Sequence, residues 1–170
     1  MSTRPVIALL TDFGLSDHYV GVMKGVIAGL CPEALLIDIT HDVPAQDIRT
    51  AAFELEASWR YFPSDTTFVV VVDPGVGTER RGIAARIGER FFVGPDNGVF
   101  DLVIASQAPS EAVELGNPRY ARAMVSRTFE GRDRFAPAAA WLAQGTPLAE
   151  FGGSRGSGHP PALDDTGAPG

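Results

Sequence analysis

The stretch Thr67-Phe68-Val69-Val70-Val71-Val72-Asp73-Pro74-Gly75-Val76-Gly77 decides the fold. Its first six residues are all β-branched or aromatic, and none is charged. A run with no polar face to offer water suits a strand buried on both sides, as in a parallel sheet. The run stops at a carboxylate, a proline and two glycines, which end a strand sharply and allow a tight loop.

Working outward from that strand, the pattern alternates. Val6–Leu10 is a first apolar run, closed by Thr11-Asp12-Phe13-Gly14. Val20, Met23, Ile27 and Leu30 recur at helical spacing and predict a helix from about Asp17 to Leu30, with Asp17 as its N-cap. Leu35–Ile39 reads as a second strand. Asp47 is placed to cap a helix in which Ile48, Ala51, Ala52, Leu55 and Trp59 share a face. Strand, helix, strand, helix, strand predicts an α/β fold with a mostly parallel central sheet flanked by helices. Downstream, Gly82–Ile87 and Arg90–Val93 about Gly88-Glu89 predict a hairpin. Val99–Ser106 reads as a short helix, Arg122–Val125 as a further strand, and Arg132-Asp133 as the start of a helix to about Ala143, with Pro137 near its first turn.

Composition narrows the function classes. The chain has 170 residues, 45% of them apolar, enough for one globular core. Its 14 basic and 21 acidic residues leave a net charge of −7, which argues against nucleic-acid binding. No apolar run approaches the roughly 20 residues that span a bilayer, so no membrane partner is expected. The single cysteine, Cys31, excludes an internal disulfide and a Cys-based zinc cluster, and points to a cytoplasmic setting. GxGxxG, P-loop and GxSxG patterns are all absent.

Three carboxylates, Asp12, Asp42 and Asp73, follow the first three predicted strands. In a parallel sheet all three lie on the C-terminal edge, where ligands bind at a switch in strand order. Each also reads as an ordinary turn or cap residue. A carboxylate at Asp12 can accept both hydrogens of a ribose cis-diol, or can close an Asx-turn. Arg80, seven residues past Asp73, can fold back on it as a bidentate ion pair. Such a pair can orient a water molecule, and it can equally staple the loop. Gly94-Pro95-Asp96-Asn97-Gly98 reads as a turn. Glu130, beside Gly131 before a helix, can point into a cleft as a base, and Asp133 reads as a helix N-cap. His41-Asp42 is too closely spaced to ligate one ion well, and no HxH or HxxxH pair supports a metal site. No metal is expected.

Taken in order, Thr11-Asp12-Phe13-Gly14, Asp38-Ile39-Thr40-His41, Asp73-Pro74-Gly75-Val76-Gly77, Gly94-Pro95-Asp96-Asn97-Gly98 and Gly131-Arg132-Asp133 with Phe135-Ala136-Pro137 resemble one family. It is the S-adenosylmethionine hydroxide adenosyltransferases, adenosine-forming hydrolases related to the fluorinase and chlorinase enzymes. The resemblance covers roughly Pro5 to Gly152. It implies attack of water or hydroxide on ribose C5′ of S-adenosylmethionine, giving adenosine and methionine with no cofactor. It assigns Asp73, Arg80 and Glu130 to the water site, and Asp12, Phe13, Asp17 and Asn97 to substrate binding. Glu130 stands where the family has a histidine, which brings a second carboxylate toward Asp73.

The resemblance further implies residues 1–151 as the catalytic N-terminal domain and 152–170, with six glycines and three prolines, as a flexible tail or linker stub. A C-terminal β-barrel-like domain would be absent, and the full-length form would be a homotrimer. Two alternatives accompany this reading. A halogenase is disfavoured because the Asp73 carboxylate would repel a halide. A non-catalytic domain that only binds S-adenosylmethionine or adenosine is favoured by Glu130 and by the length.

Overall fold

The structure, a computed structural model, describes residues 3–152. Of the predicted tail only Gly152 falls within them; the rest of that expectation lies outside the described residues. Six strands form one sheet in the order β2-β1-β3-β5-β4-β6. The strands are β1 (Val6–Thr11), β2 (Leu35–Thr40), β3 (Thr67–Val71), β4 (Gly82–Ile87), β5 (Arg90–Pro95) and β6 (Pro109–Glu114). The helices are α1 (Tyr19–Leu30), α2 (Ile48–Ser58), α3 (Asp101–Ser106) and α4 (Ala136–Ala143). β2, β1, β3 and β5 pair in parallel, while β4 runs antiparallel to both of its neighbours. The expected mostly parallel α/β sheet is therefore present.

β3 is buried along its whole length. Its alternating side chains feed two separate cores, as a strand's period of two requires. Val69 and Val71 join Ile7 and Leu9 of β1 beneath α1 and α4. Phe68 and Val70 join Ala8 and Leu10 on the other face, under α2 and α3. There Phe68 stacks on Phe92 with centroids 4.9 Å apart, and Trp59 meets Phe92 edge-on at 5.7 Å. Burying each such ring contributes about 2 kcal/mol or more. Asp47 caps α2 as its position predicts, with Oδ1 accepting Thr50 N–H at 3.0 Å.

The chain winds from β1 through α1 to β2 on one side, then through α2 to β3 on the other. The direction of winding thus reverses between β1 and β3. Their register sets Thr11 opposite Val71, so the loops that begin at Asp12 and Asp73 leave neighbouring strands at nearly the same height. That is the crevice in which an open α/β sheet binds ligands.

Three expectations need correction, and one strand was not foreseen. Arg122–Val125 is not a strand; it is irregular, and Met124 is 86% exposed. The sixth strand is Pro109–Glu114, an edge strand with a proline and two glutamates in which only Ala112 is buried, so its apolar signal is faint. The short helix begins at Asp101, not Val99. Asp17 is not the N-cap of α1: His18 holds that position, and Asp17 Oδ1 only reaches Tyr19 N–H at 3.4 Å.

Gly94 shows how tightly β3 and β5 pack. A Cβ there would lie 2.4 Å from the Val70 carbonyl oxygen and 3.0 Å from the Phe100 ring. Gly94→Ala is expected to lower stability by about 1–3 kcal/mol through overpacking, read as an earlier urea midpoint with unchanged slope. An unchanged midpoint would contradict this packing.

Candidate active site

The loop after β3 closes on itself before it reaches outward. Val76 N–H returns to the Asp73 carbonyl at 3.2 Å, and Thr78 donates both its N–H, at 3.1 Å, and its hydroxyl, at 2.5 Å, to Gly75 O. Gly77 has φ +79°, and a Cβ there would lie 2.6 Å from the Arg127 carbonyl oxygen. This compact loop brings Arg80 back over its own first residue. Arg80 Nε donates to Asp73 Oδ1 at 2.9 Å, and Nη2 donates to Asp73 Oδ2. The same Nη2 donates to Glu130 Oε2 at 2.5 Å. All three side chains are at most 10% exposed. The guanidinium also lies 5.5 Å from the Phe135 ring.

Burial alone would lower the Arg80 pKa. Hydrogen bonds from its guanidinium to Asp73 and then Glu130 outweigh that and raise it, so Arg80 stays charged. One guanidinium thus faces two carboxylates, a formal excess of one acidic group in the cluster.

Glu130 reaches this cluster because of the segment behind it. Residues Gly131–Phe135 form a π-turn, with Ala136 N–H bonding back to Gly131 O, and α4 continues from there. Such wide turns recur at functional sites. A Cβ on Gly131 would press on Met23 Sδ at 3.2 Å, so glycine lets this backbone lie close to α1. Asp133 is not a helix N-cap, as the sequence suggests. It is 0% exposed and bonds Arg132 Nε at 2.7 Å, Arg132 Nη2 at 2.9 Å and Ser126 N–H at 2.8 Å. Arg122 adds an ion pair at 3.5 Å. Asp133 therefore ties the loop 122–130 to the turn that presents Glu130.

A cavity of about 250 Å³ opens beside the cluster, lined by Asp12, Phe13, Gln46, Asp73, Phe129 and Glu130 among others. Asp12 Oδ2 accepts Gln46 N–H at 2.8 Å, while among the described residues Oδ1 has no hydrogen-bond partner. Phe13 and Phe129 meet edge-on at 5.9 Å and form an apolar wall with Tyr19. Of the residues singled out in the sequence, Asp12, Phe13, Asp73 and Glu130 line this cavity, and Arg80 bonds two of them. Asp17, Asp42 and Asn97 do not line it. Asn97 Nδ2 donates to Val72 O at 2.9 Å and Oδ1 accepts Val99 N–H at 3.2 Å, so its amide braces the turn after β5.

Gln46 was not foreseen. Its backbone adopts φ 64°, unusual for a residue with a side chain, and so aims its N–H at Asp12. Pro44, two residues before, and the Asp47 cap give a turn, but no sequence signal for its target. A larger groove of about 930 Å³ lies at the opposite, N-terminal edge of the sheet, lined by Arg4, Asp65, Phe91 and residues of 142–149. Arg86 and Glu111 also line it, but among the described residues no ion pair joins its charged side chains as Arg80 joins Asp73 and Glu130. Among the described residues no three His, Cys, Asp or Glu side chains are grouped to hold a metal ion. No helix among them is long and apolar enough to cross a membrane.

Comparison with known proteins adds a family. The profile described as the SAM hydroxide adenosyltransferase N-terminal domain matches residues 7–152. A protein of Salinispora arenicola named (R)-S-adenosyl-L-methionine hydrolase is 48% identical over 153 residues, covering 89% of this chain and 58% of that protein. A protein of the same name from Thermus thermophilus is 46% identical over 156 residues, covering 88% and 60%. The chain thus spans less than two thirds of the length of these relatives. The crystal structure of an uncharacterized conserved protein from Thermotoga maritima superposes with TM-score 0.84 at 44% identity, covering 86% of this chain and 56% of that one.

Burial alone would raise the Asp133 pKa, but hydrogen bonds from Arg132 and Ser126 outweigh it and hold the carboxyl below its ordinary range. Its contribution is complete above the unfolded carboxylate pKa of about 3.9 and is lost as pH falls through the lower folded value. Asp133→Asn is expected to cost about 1–3 kcal/mol at neutral pH and to flatten the acid side of the stability curve. Stability that falls as steeply with acid as in the wild type would contradict this role.

Proposed function

The chain belongs to the SAM hydroxide adenosyltransferase N-terminal domain family, and from that premise we propose that it provides the nucleophile and ribose sites of an adenosine-forming S-adenosylmethionine hydrolase. One observation carries the reading: Arg80 holds two carboxylates, Asp73 and Glu130, at one wall of a cavity whose other wall presents Asp12. The names of the relatives at 48% and 46% identity support the same reaction.

In this reading a water molecule sits against Asp73 and Glu130. Its oxygen attacks ribose C5′ as the C5′–S bond breaks, and the bonding pair leaves with sulfur as the neutral thioether of methionine. The proton of the attacking water passes to Glu130 and on to solvent. The sulfonium is already an activated leaving group, so alignment and a fixed polar surround supply the catalysis. Arg80 holds both carboxylates in place by hydrogen bonds. Asp12, held from behind by Gln46, offers its remaining oxygen to the ribose hydroxyls, and Phe13 and Phe129 exclude water beside the reacting carbon.

The charge of the cluster also selects the nucleophile. With one guanidinium against two carboxylates, a cationic sulfonium is attracted and a halide is repelled. Water, not chloride or fluoride, is the nucleophile in this proposal. Glu130 in place of the family histidine makes the site one that works with a carboxylate base. The reading extends to a cytoplasmic homotrimer in which a further domain holds the adenine and most of the methionine. Asp17 and Asn97 would then act through that assembled site.

The test is incubation with S-adenosylmethionine in heavy-oxygen water, with and without chloride. The expected products are methionine and adenosine labelled at the 5′ oxygen, with no 5′-chloro product. Asp73→Asn should lower kcat with little change in KM, and Asp12→Ala should raise KM by about tenfold or more, the value of a hydrogen bond to a charged group. Unlabelled adenosine, a halogenated product, or equal losses of kcat in both variants would contradict the assignment.

A further inference from the structure

A second hydrogen-bonded array runs from the surface to the Asp12 loop and shares no residue with the Arg80 cluster. Lys24 Nζ donates to Asp38 Oδ2 at 2.7 Å, and Asp38 Oδ1 lies 2.8 Å from His41 Nε2. His41 Nδ1 lies 2.8 Å from Thr11 Oγ1, which accepts Phe13 N–H at 3.2 Å. His41 is 3% exposed and Thr11 0%.

One direction of donation satisfies every group. The Asp38 carboxylate only accepts, so the His41 proton sits on Nε2 and Nδ1 becomes an acceptor. The Thr11 hydroxyl then gives its hydrogen to Nδ1, leaving a lone pair for Phe13 N–H. The backbone of the same histidine makes a second tie, with Gly14 N–H donating to His41 O at 2.7 Å. The loop is thus fixed at Phe13 and at Gly14, immediately after Asp12.

Carboxylate, imidazole and hydroxyl stand in the order of a nucleophilic triad. Thr11 is wholly buried at the end of β1, however, so no substrate can reach its hydroxyl. The array holds a shape and transfers no group.

We infer that His41 is a positioning residue for Asp12: through Thr11 and Gly14 it fixes the loop that aims the Asp12 carboxylate into the cavity, and so sets the affinity for a ribose diol. This rests on the ribose role proposed for Asp12. Loss of the Nδ1 acceptor would leave a buried hydroxyl without its partner and release Phe13 N–H, loosening the loop while β1 remains paired.

The test compares binding of adenosine and of 2′,3′-dideoxyadenosine by calorimetry on the full chain, with thermal melting to check folding. A general loss of structure would weaken both ligands; loss of aim removes only the preference for the diol. Asp12→Asn, His41→Gln and Thr11→Val are each expected to cut that preference about tenfold, roughly the worth of a hydrogen bond to a charged group. His41→Asn, whose amide oxygen can stand where Nδ1 does, is expected to keep it within about threefold. Asp38→Asn, at the half-exposed end of the array, leaves the core intact and is expected to cost about threefold, the value of a weak neutral hydrogen bond. A preference lost in Asp12→Asn but intact in His41→Gln, Thr11→Val and Asp38→Asn would overturn the inference. A wild-type protein with no diol preference, or one that Asp12→Asn leaves untouched, would overturn the ribose role itself and the inference with it.

Discussion

The Arg80 guanidinium, buried between two carboxylates, is the constraint on which the rest of the site depends. It is bidentate to Asp73 and bridges to Glu130, fifty residues further along the chain. A charged group this deep is costly unless every donor is matched, and removing one partner from such an arrangement leaves uncompensated charge. The loop 73–80, the π-turn at Gly131–Phe135 and the loop tied down by Asp133 all serve to bring those three side chains together. Close approach of backbone at Gly75, Gly77 and Gly131 makes the convergence possible.

The sheet supplies the frame. Parallel pairing of β1 with β3, with Thr11 opposite Val71, puts Asp12 and Asp73 at one height on one edge. β3 is buried on both faces by two distinct cores, so its C-terminal end cannot shift without disturbing both. Rigid strands thus hold the two walls of the cavity, while Gln46 and the His41 array settle the direction of Asp12. In the proposed function the labour divides: the Asp73–Arg80–Glu130 cluster addresses the nucleophile, and the Asp12 loop addresses the ribose.

Much of this was legible in the residues. The valine run of β3 and the alternation around it read directly as a parallel α/β sheet, because burial on both faces leaves no other use for such a segment. The spacing of Asp73 and Arg80 allowed for their ion pair, since a short Gly-rich loop can fold back on its first residue. Less visible was whatever depends on distant partners. Pro109–Glu114 carries too few apolar residues to announce an edge strand. Asp133 reads as a cap because a carboxylate before a helix usually is one, and only the fold reveals three donors around it. His41 invites a metal reading beside Asp42, whereas its ring lies between Asp38 and Thr11. Asn97 sits in a motif that resembles the family, and the resemblance assigns Asp17 to substrate binding, yet their side chains within the described residues serve backbone groups.

The most direct test of the central claim is a double-mutant cycle on the turnover of S-adenosylmethionine using Asp73→Asn, Glu130→Gln and the double variant. If one guanidinium holds both carboxylates as a unit, the losses are strongly non-additive, and the double variant falls little below the worse single one, with a coupling of about 1–3 kcal/mol. Losses that simply multiply would mean that Asp73 and Glu130 act independently, and would contradict a water site organised by Arg80.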